Sequence, residues 1–300
     1  MTETKPTADW VLALIGELWG SPENDLQMAQ PERAWDVPLV GFASGADPLF
    51  EHYKTVVGPF HWTPLEAFSQ AYPSAAVGAE DLTVISYVLP QTEATKREQR
   101  QATLFPSERW SRSRFYGEQF NHQLRRRLAE SLSAAGYAAV APVETPSWSV
   151  KDSEQYVYAS TWSERHAAYA AGLGTFGLCD GLITPRGKAM RAGSVVARIA
   201  IPATPRPYTD HHAYCLFYAD GSCGECIARC PAGALSEAGH DKVACKAHLD
   251  RSRSHVSENY GFPGYGCGLC QVGVPCESGI PERLRPGGSG HAARSPYPKA

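Results

Sequence analysis

Residues Cys223–Leu235 read CGECIARCPAGAL. Three thiols crowd into this run, and the third, Cys230, is followed by Pro231. The chain carries nine cysteines, of which none precedes Cys179 and eight fall between Cys215 and Cys276. They form two groups: Cys215, Cys223, Cys226 and Cys230, then Cys245, Cys267, Cys270 and Cys276. A four-iron cluster needs four thiolates, and in two-cluster ferredoxins each run gives three ligands to one cluster and its fourth to the other. The same crossed logic assigns Cys215, Cys223, Cys226 and Cys276 to one 4Fe-4S cluster, and Cys230, Cys245, Cys267 and Cys270 to a second. Cys215 and Cys276 depart most from the simple ferredoxin spacing, since residues 216–222 and 271–275 intervene before and after the CxxC pairs. The pairs Cys223/Cys226 and Cys267/Cys270 also suit tetrahedral zinc. The CxxCxxxCP run with a second group of four favours clusters over zinc, and both over disulfides.

The rest of the composition is that of an ordinary globular protein: 300 residues, 43% hydrophobic, 20% charged, net charge -3. Nothing global in that charge calls for nucleic acid or an anionic membrane as partner. MTETKPTADWVLALIGELWG has no cleavage site and an apolar run broken by Glu17, so it reads as an amphipathic first helix. No run reaches the roughly 18 apolar residues of a membrane span. A cytoplasmic location is expected, and reducing conditions there keep thiols for metals or chemistry.

Val37–Phe42 and Asp81–Leu89 are β-branched runs bounded by turn formers and read as buried strands. Apolar residues recur at Tyr116, Phe120, Leu124, Leu128 and Leu132, which predicts one face of a helix over Arg114–Ala135. On it, Arg125–Arg127 reads as a solvated basic face. A strand over Tyr137–Val143, a helix over Ser163–Ala171 and a strand over Gly193–Ile201 follow. Composition shifts after Pro202. The expected organisation is therefore α+β: residues 1–205 an α/β domain, 206–282 a small two-cluster module of ferredoxin type, and 283–300 a disordered tail. Phe60, Trp62 and Phe68 read as buried packing.

AGLGTFGLCDGLITP places Gly172, Gly174 and Gly177 in a G-x-G-x-x-G pattern. A dinucleotide fingerprint needs strand then helix, so that the helix N-terminus faces the pyrophosphate. Here SERHAAYAAG is helical and GLITP extended, which is the reverse order, and a nicotinamide-dependent reductase falls with the fingerprint. The glycines imply close backbone approach or a tight turn.

The segment YASTWSERHAAYAAGLGTFGLCDGLITPRGKAMRAGSVV, followed by the eight-cysteine module, resembles the core of epoxyqueuosine reductases and corrinoid-dependent reductive dehalogenases. The likeness is strongest from Tyr158 to Pro281. It implies a nitroreductase-like α/β domain holding base-off cobalamin, fed with electrons by a ferredoxin-like domain with two 4Fe-4S clusters. On that resemblance Gly172, Gly174, Gly177, Leu178 and Gly181, with Gly193 and Ser194, would lie against the corrin. Epoxyqueuosine reductases carry an aspartate before their Glu-Arg pair, where this chain has Tyr158 before Glu164 and Arg165. Reductive dehalogenases are similar in using a tyrosine donor beside a basic residue, which makes Tyr158 the candidate acid and Arg191 or Lys188 its partner. Cys179 is surplus to both clusters and reads as packing. Asp210-His211-His212 lacks the glycine of a D-x-H-x-x-G corrinoid motif.

The expected function is an iron-sulfur and cobalamin-dependent reductase. It would take electrons from an external low-potential donor and cleave a carbon-halogen or carbon-oxygen bond. A small organic substrate is favoured over tRNA. The alternative is a two-cluster electron carrier without corrinoid that serves a partner enzyme.

Overall fold

A computed structural model gives the fold and describes residues 7–154 and 156–286. It is a mixture of helices and strands around one four-stranded sheet. In chain order the elements used below are α1 (Ala8–Trp19), β1 (Leu39–Ser44), β2 (Thr83–Pro90), α2 (Glu118–Ala134), β3 (Ala139–Val140), α3 (Glu164–Ala170), β4 (Met190–Ala197) and α4 (Lys242–Tyr260). The sheet order is β1-β2-β4-β3 with every pairing antiparallel.

All eight residues of β2 are buried, because helices cover both faces of the sheet. Ile85, Tyr87 and Leu89 meet Phe120, Leu124, Leu128 and Leu132 of α2 and Val11 and Ile15 of α1. Each such side chain taken from water contributes about 1.5–3 kcal/mol. Val84 and Val88 point the other way, towards Ala167, Ala168 and Ala171, as a period of two requires. From there the apolar cluster continues without a break through Leu178 and Leu182 to Cys226, Val274 and Cys276. In the register Tyr87 lies opposite Gly193, and a Cβ there would sit 2.3 Å from the Tyr87 ring. The glycine lets that ring cross the strand and donate its hydroxyl to Asn121 Oδ1 at 2.9 Å.

Several boundaries move, each for a local reason. The long helix expected from Arg114 begins at Glu118, after a widened turn over Ser113–Gly117. Trp35 Nε1 donates to the Gly117 carbonyl at 2.9 Å, which draws that carbonyl out of the helical ladder. The strand expected over Tyr137–Val143 keeps two residues and turns into a 3-10 helix at Pro142, which has no N–H to give a sheet. The last strand starts at Met190, paired with Pro90, and ends at Ala197. Phe68 is buried, and Phe60 and Trp62 pack against the same core. Glu282–Leu284, expected in the structureless tail, forms a short 3-10 turn, and the tail from 287 lies outside the described residues. Among the described residues no helix is long and apolar enough to cross a membrane.

Candidate metal centre

Short elements hold the cysteines. Cys215 caps the helix Leu216–Asp220, Cys223 and Cys226 flank the start of the turn Glu225–Ala228, and Cys230 follows it. Cys245 rides on α4, whose start is capped by Asp241 accepting from Val243 N and Ala244 N. Between Cys267 and Cys270 the chain turns at Gly268 with φ +66°, and a Cβ there would fall 2.0 Å from the Trp110 ring. Only glycine satisfies both conditions.

Cys215, Cys223, Cys226 and Cys276 line one narrow cavity, together with Leu178 and Lys188. These are the four thiols that crossed ligation puts on one cluster. Cys245 and Cys230 are the thiols that bear electrostatically on Cys267, whose own thiol is pushed up to about 11, mainly by burial. Cys230 Sγ also accepts from Ala234 N at 3.3 Å, a bond that steadies a thiolate. No three histidine, cysteine or acidic side chains among the described residues converge on a point for a single metal ion. A cuboidal cluster asks for something else, four thiolates spread around a volume with each reaching its own iron, and the thiols around this cavity fit that demand.

The residues assigned to a corrin are closely packed. A Cβ on Gly174 would meet the Ile183 carbonyl oxygen at 2.3 Å, one on Gly172 the Pro205 carbonyl oxygen at 2.9 Å, and Gly193 is closed by Tyr87. Gly177 faces Ile183, and Gly181 faces Cys179 Sγ at 3.3 Å from a built Cβ. Ser194 is fully buried, accepting from Trp162 Nε1 at 2.9 Å and donating to Glu164. Gly177 and Leu178 instead line the thiol cavity. In the direction a Cβ would take, these glycines meet protein, and Gly177 with Leu178 forms part of the wall of the thiol site.

Tyr158 lies in a hairpin of Val150–Ser153 with Val157–Ser160 and donates its hydroxyl to the Lys242 carbonyl at 3.0 Å. Burial, and then Cys245 nearby, raises its pKa above the ordinary phenol value. The structure does not bring Arg191 or Lys188 to it. Arg191 Nε donates to Glu118 Oε2 at 2.8 Å, and Lys188 Nζ donates to Cys179 Sγ at 3.4 Å. The cations near the hairpin are Lys242, whose Nζ is 4.5 Å from the Tyr156 ring and 5.9 Å from that of Tyr158, and Lys246, which bears electrostatically on Tyr158.

Arg191 belongs to a dense charge network. Glu118 Oε2 takes Arg191 and, at 3.8 Å, Arg114, while Glu118 Oε1 lies 3.4 Å from Arg125. Burial would raise the Glu118 carboxyl, but Arg191, Arg125 and Arg114 outweigh it and hold it at about 2. Burial wins at Glu164, raised to about 7, whose Oε1 has no hydrogen-bond partner. Arg125 is 1% exposed, which corrects the reading of Arg125–Arg127 as a solvated face; only Arg126 and Arg127 look outward. The position follows from the helix period, since 121, 125, 128 and 132 fall on one side and all are buried. His240 pairs with Asp180 at 3.0 Å and is pushed up to about 9, first by Asp180 and then by Cys245.

Cys179, read from the sequence as packing, is within hydrogen-bonding reach of Cys226 and Cys270. It thus joins the two groups of four. Spacing gave no sign of this, because 179 lies far from the cysteine runs and arrives through the turn in which Gly177 N donates to the Gly181 carbonyl at 2.8 Å.

No family model matches the chain. Among curated proteins, the epoxyqueuosine reductase of Bacillus anthracis is 32% identical over 124 residues, 39% of this chain and 30% of that protein. The match therefore spans about a third of the relative's length. A crystal structure of epoxyqueuosine reductase with an epoxyqueuosine-modified tRNA stem loop is 17% identical, covering 92% of this chain and 68% of that one, with a TM-score of 0.46. A catabolic reductive dehalogenase is 14% identical over 90% of this chain and 36% of its own, with a TM-score of 0.45. The sequence match supports the resemblance read from the glycine-rich segment and the cysteines, to a superfamily of oxidoreductases.

Proposed function

We propose that the chain is an iron-sulfur oxidoreductase of the epoxyqueuosine reductase and reductive dehalogenase type. In this reading residues 1–205 form a nitroreductase-like domain, and residues 206–282 hold two 4Fe-4S clusters that pass electrons towards a small organic substrate. The observation that carries it is the cavity lined by Cys215, Cys223, Cys226 and Cys276, thiols drawn from both ends of the cysteine region. Cys230, Cys245, Cys267 and Cys270 take the second cluster. Bound there, the clusters supply one-electron chemistry at low potential, and the burial of Cys226 and Cys276 keeps water from one of them.

Tyr158 is the proton donor in this reading. Its raised pKa keeps the phenol protonated, which is the form a donor needs, and Lys246 with Lys242 supplies the nearby positive charge in place of Arg191 or Lys188. Tyr158→Phe is expected to abolish turnover while iron content stays unchanged. Turnover retained in that variant removes the acid assignment.

A second reading, an electron carrier without corrinoid, is favoured by the closure of Gly172, Gly174, Gly193 and Ser194 against protein. Metal analysis of protein purified without oxygen, from cells supplied with cobalamin, separates the two. About eight irons and eight sulfides per chain are expected in either case. About one cobalt alongside them supports a corrinoid enzyme, iron alone with no uptake of added cobalamin supports the carrier, and zinc in place of iron overturns both. A tRNA substrate is a third partner class. It would need many phosphate contacts and a steep salt dependence, which filter binding to a tRNA stem loop would show.

A further inference from the structure

We propose that Lys188 and Cys179 set the reduction potentials of the two clusters from the seam between them, an inference that rests on the cluster reading above. Lys188 is 3% exposed, and no carboxylate among the described residues lies within ion-pair distance of it. A cation buried in that way needs negative charge nearby, because the cost of desolvation is otherwise several kcal/mol. The groups beside Lys188 that carry such charge in the cluster reading are the thiolates of Cys215, Cys223, Cys226 and Cys276, whose cavity it lines. Its place is fixed by the backbone, since Lys188 N donates to the Cys276 carbonyl at 2.9 Å and its Nζ to Cys179 Sγ at 3.4 Å.

Cys179 completes the connection. It reaches Cys226, assigned to one cluster, and Cys270, assigned to the other. Cys179 Sγ accepts from Lys188 Nζ, which holds the ammonium at the wall of the four-thiol cavity. Reduction adds negative charge to a cluster. A fixed cation favours the reduced state and raises the potential. Cys179 and Lys188 are therefore positioning and tuning residues that act on the clusters without ligating them.

The test is an EPR-monitored redox titration of the full chain with reconstituted clusters. Lys188→Met is expected to keep about eight irons and to move the midpoint of the cluster on Cys215, Cys223, Cys226 and Cys276 to more negative values, with Lys188→Arg restoring most of the shift. Cys179→Ala, which removes the acceptor of Lys188 Nζ, is expected to give a smaller negative shift, and Cys179→Ser, which keeps an acceptor, to stay close to the parent protein. Unchanged midpoints in Lys188→Met and Cys179→Ala with iron intact overturn the proposal. Should Lys188→Met lose iron, the comparison of Cys179→Ala with Cys179→Ser decides, and loss of iron from all of these variants also overturns it by making both residues structural. Absence of iron from the parent protein is a different failure, that of the cluster reading itself.

Discussion

Removing Cys226 and Cys276 together is expected to leave about four irons per chain, whereas removing Cys226 and Cys230 together is expected to leave none. Cys226 and Cys230 are near neighbours in one run, yet crossed ligation sends them to different clusters. Cys226 and Cys276 are far apart in sequence and line the same cavity. Alanine at each position removes the sulfur and little else, because Cys276 holds its neighbours through its carbonyl, which accepts from Lys188 N at 2.9 Å. Iron and sulfide analysis with EPR of the reduced protein reads the result directly. Four irons surviving in Cys226→Ala/Cys230→Ala would place those two thiols on one cluster and end the crossed assignment. A protein built on zinc would show no iron signal in any of these variants.

The part of the fold that the sequence disclosed is the part with strong periodicity. β2 is a run rich in β-branched residues and buried throughout, and Phe120, Leu124, Leu128 and Leu132 repeat at the helical spacing, so both were legible from residue type alone. α4 was not. Its sequence, KVACKAHLDRSRSHVSENY, is polar on most sides and carries a cysteine, so no apolar stripe marks it as a helix. The cysteine module is legible in the sequence as two groups of thiols, because thiol spacing is chemistry that survives without coordinates. What spacing does not contain is the long-range meeting of Cys179 with Cys226 and Cys270, or of Lys188 with Cys276, since those depend on how a tight turn is delivered to a distant site. For the glycines, the sequence pattern does not contain what lies in the direction a Cβ would take, namely the Ile183 carbonyl, the Pro205 carbonyl and the Tyr87 ring.

Arg125→Met is expected to destabilise the protein by about 3–5 kcal/mol at pH 8, the range found when one partner of a buried ionic network is removed. The guanidinium is 1% exposed and reaches three carboxylates: Glu144 at 2.8 Å, Glu118 at 3.4 Å and Glu164 at 4.0 Å. Methionine refills the apolar stem and returns none of the charge. Glu118 keeps Arg191 and Arg114, and Glu144 keeps Arg126 and His122, so the loss concentrates on Glu164. The pH dependence identifies that residue. With its folded pKa raised to about 7, mainly by burial, Glu164 binds more protons in the folded than in the unfolded state between the ordinary carboxylate range and neutrality. Its contribution is therefore fully present at low pH and is lost as pH rises through the folded value. Without Arg125 that folded value climbs further, so the deficit of the variant is largest near pH 8 and shrinks towards pH 5, where Glu164 is neutral. Glu118 and Glu144, both held at about 2, have the opposite sign and lose their contribution only as pH falls towards that value. Urea midpoints of Arg125→Met and the parent at pH 8 and pH 5 give the comparison, and Arg125→Met/Glu164→Gln should recover part of the loss at pH 8. A deficit that is equal at both pH values would move the cost from charge to packing, and the carboxylate network would then be a consequence of the fold at this helix and not one of its supports.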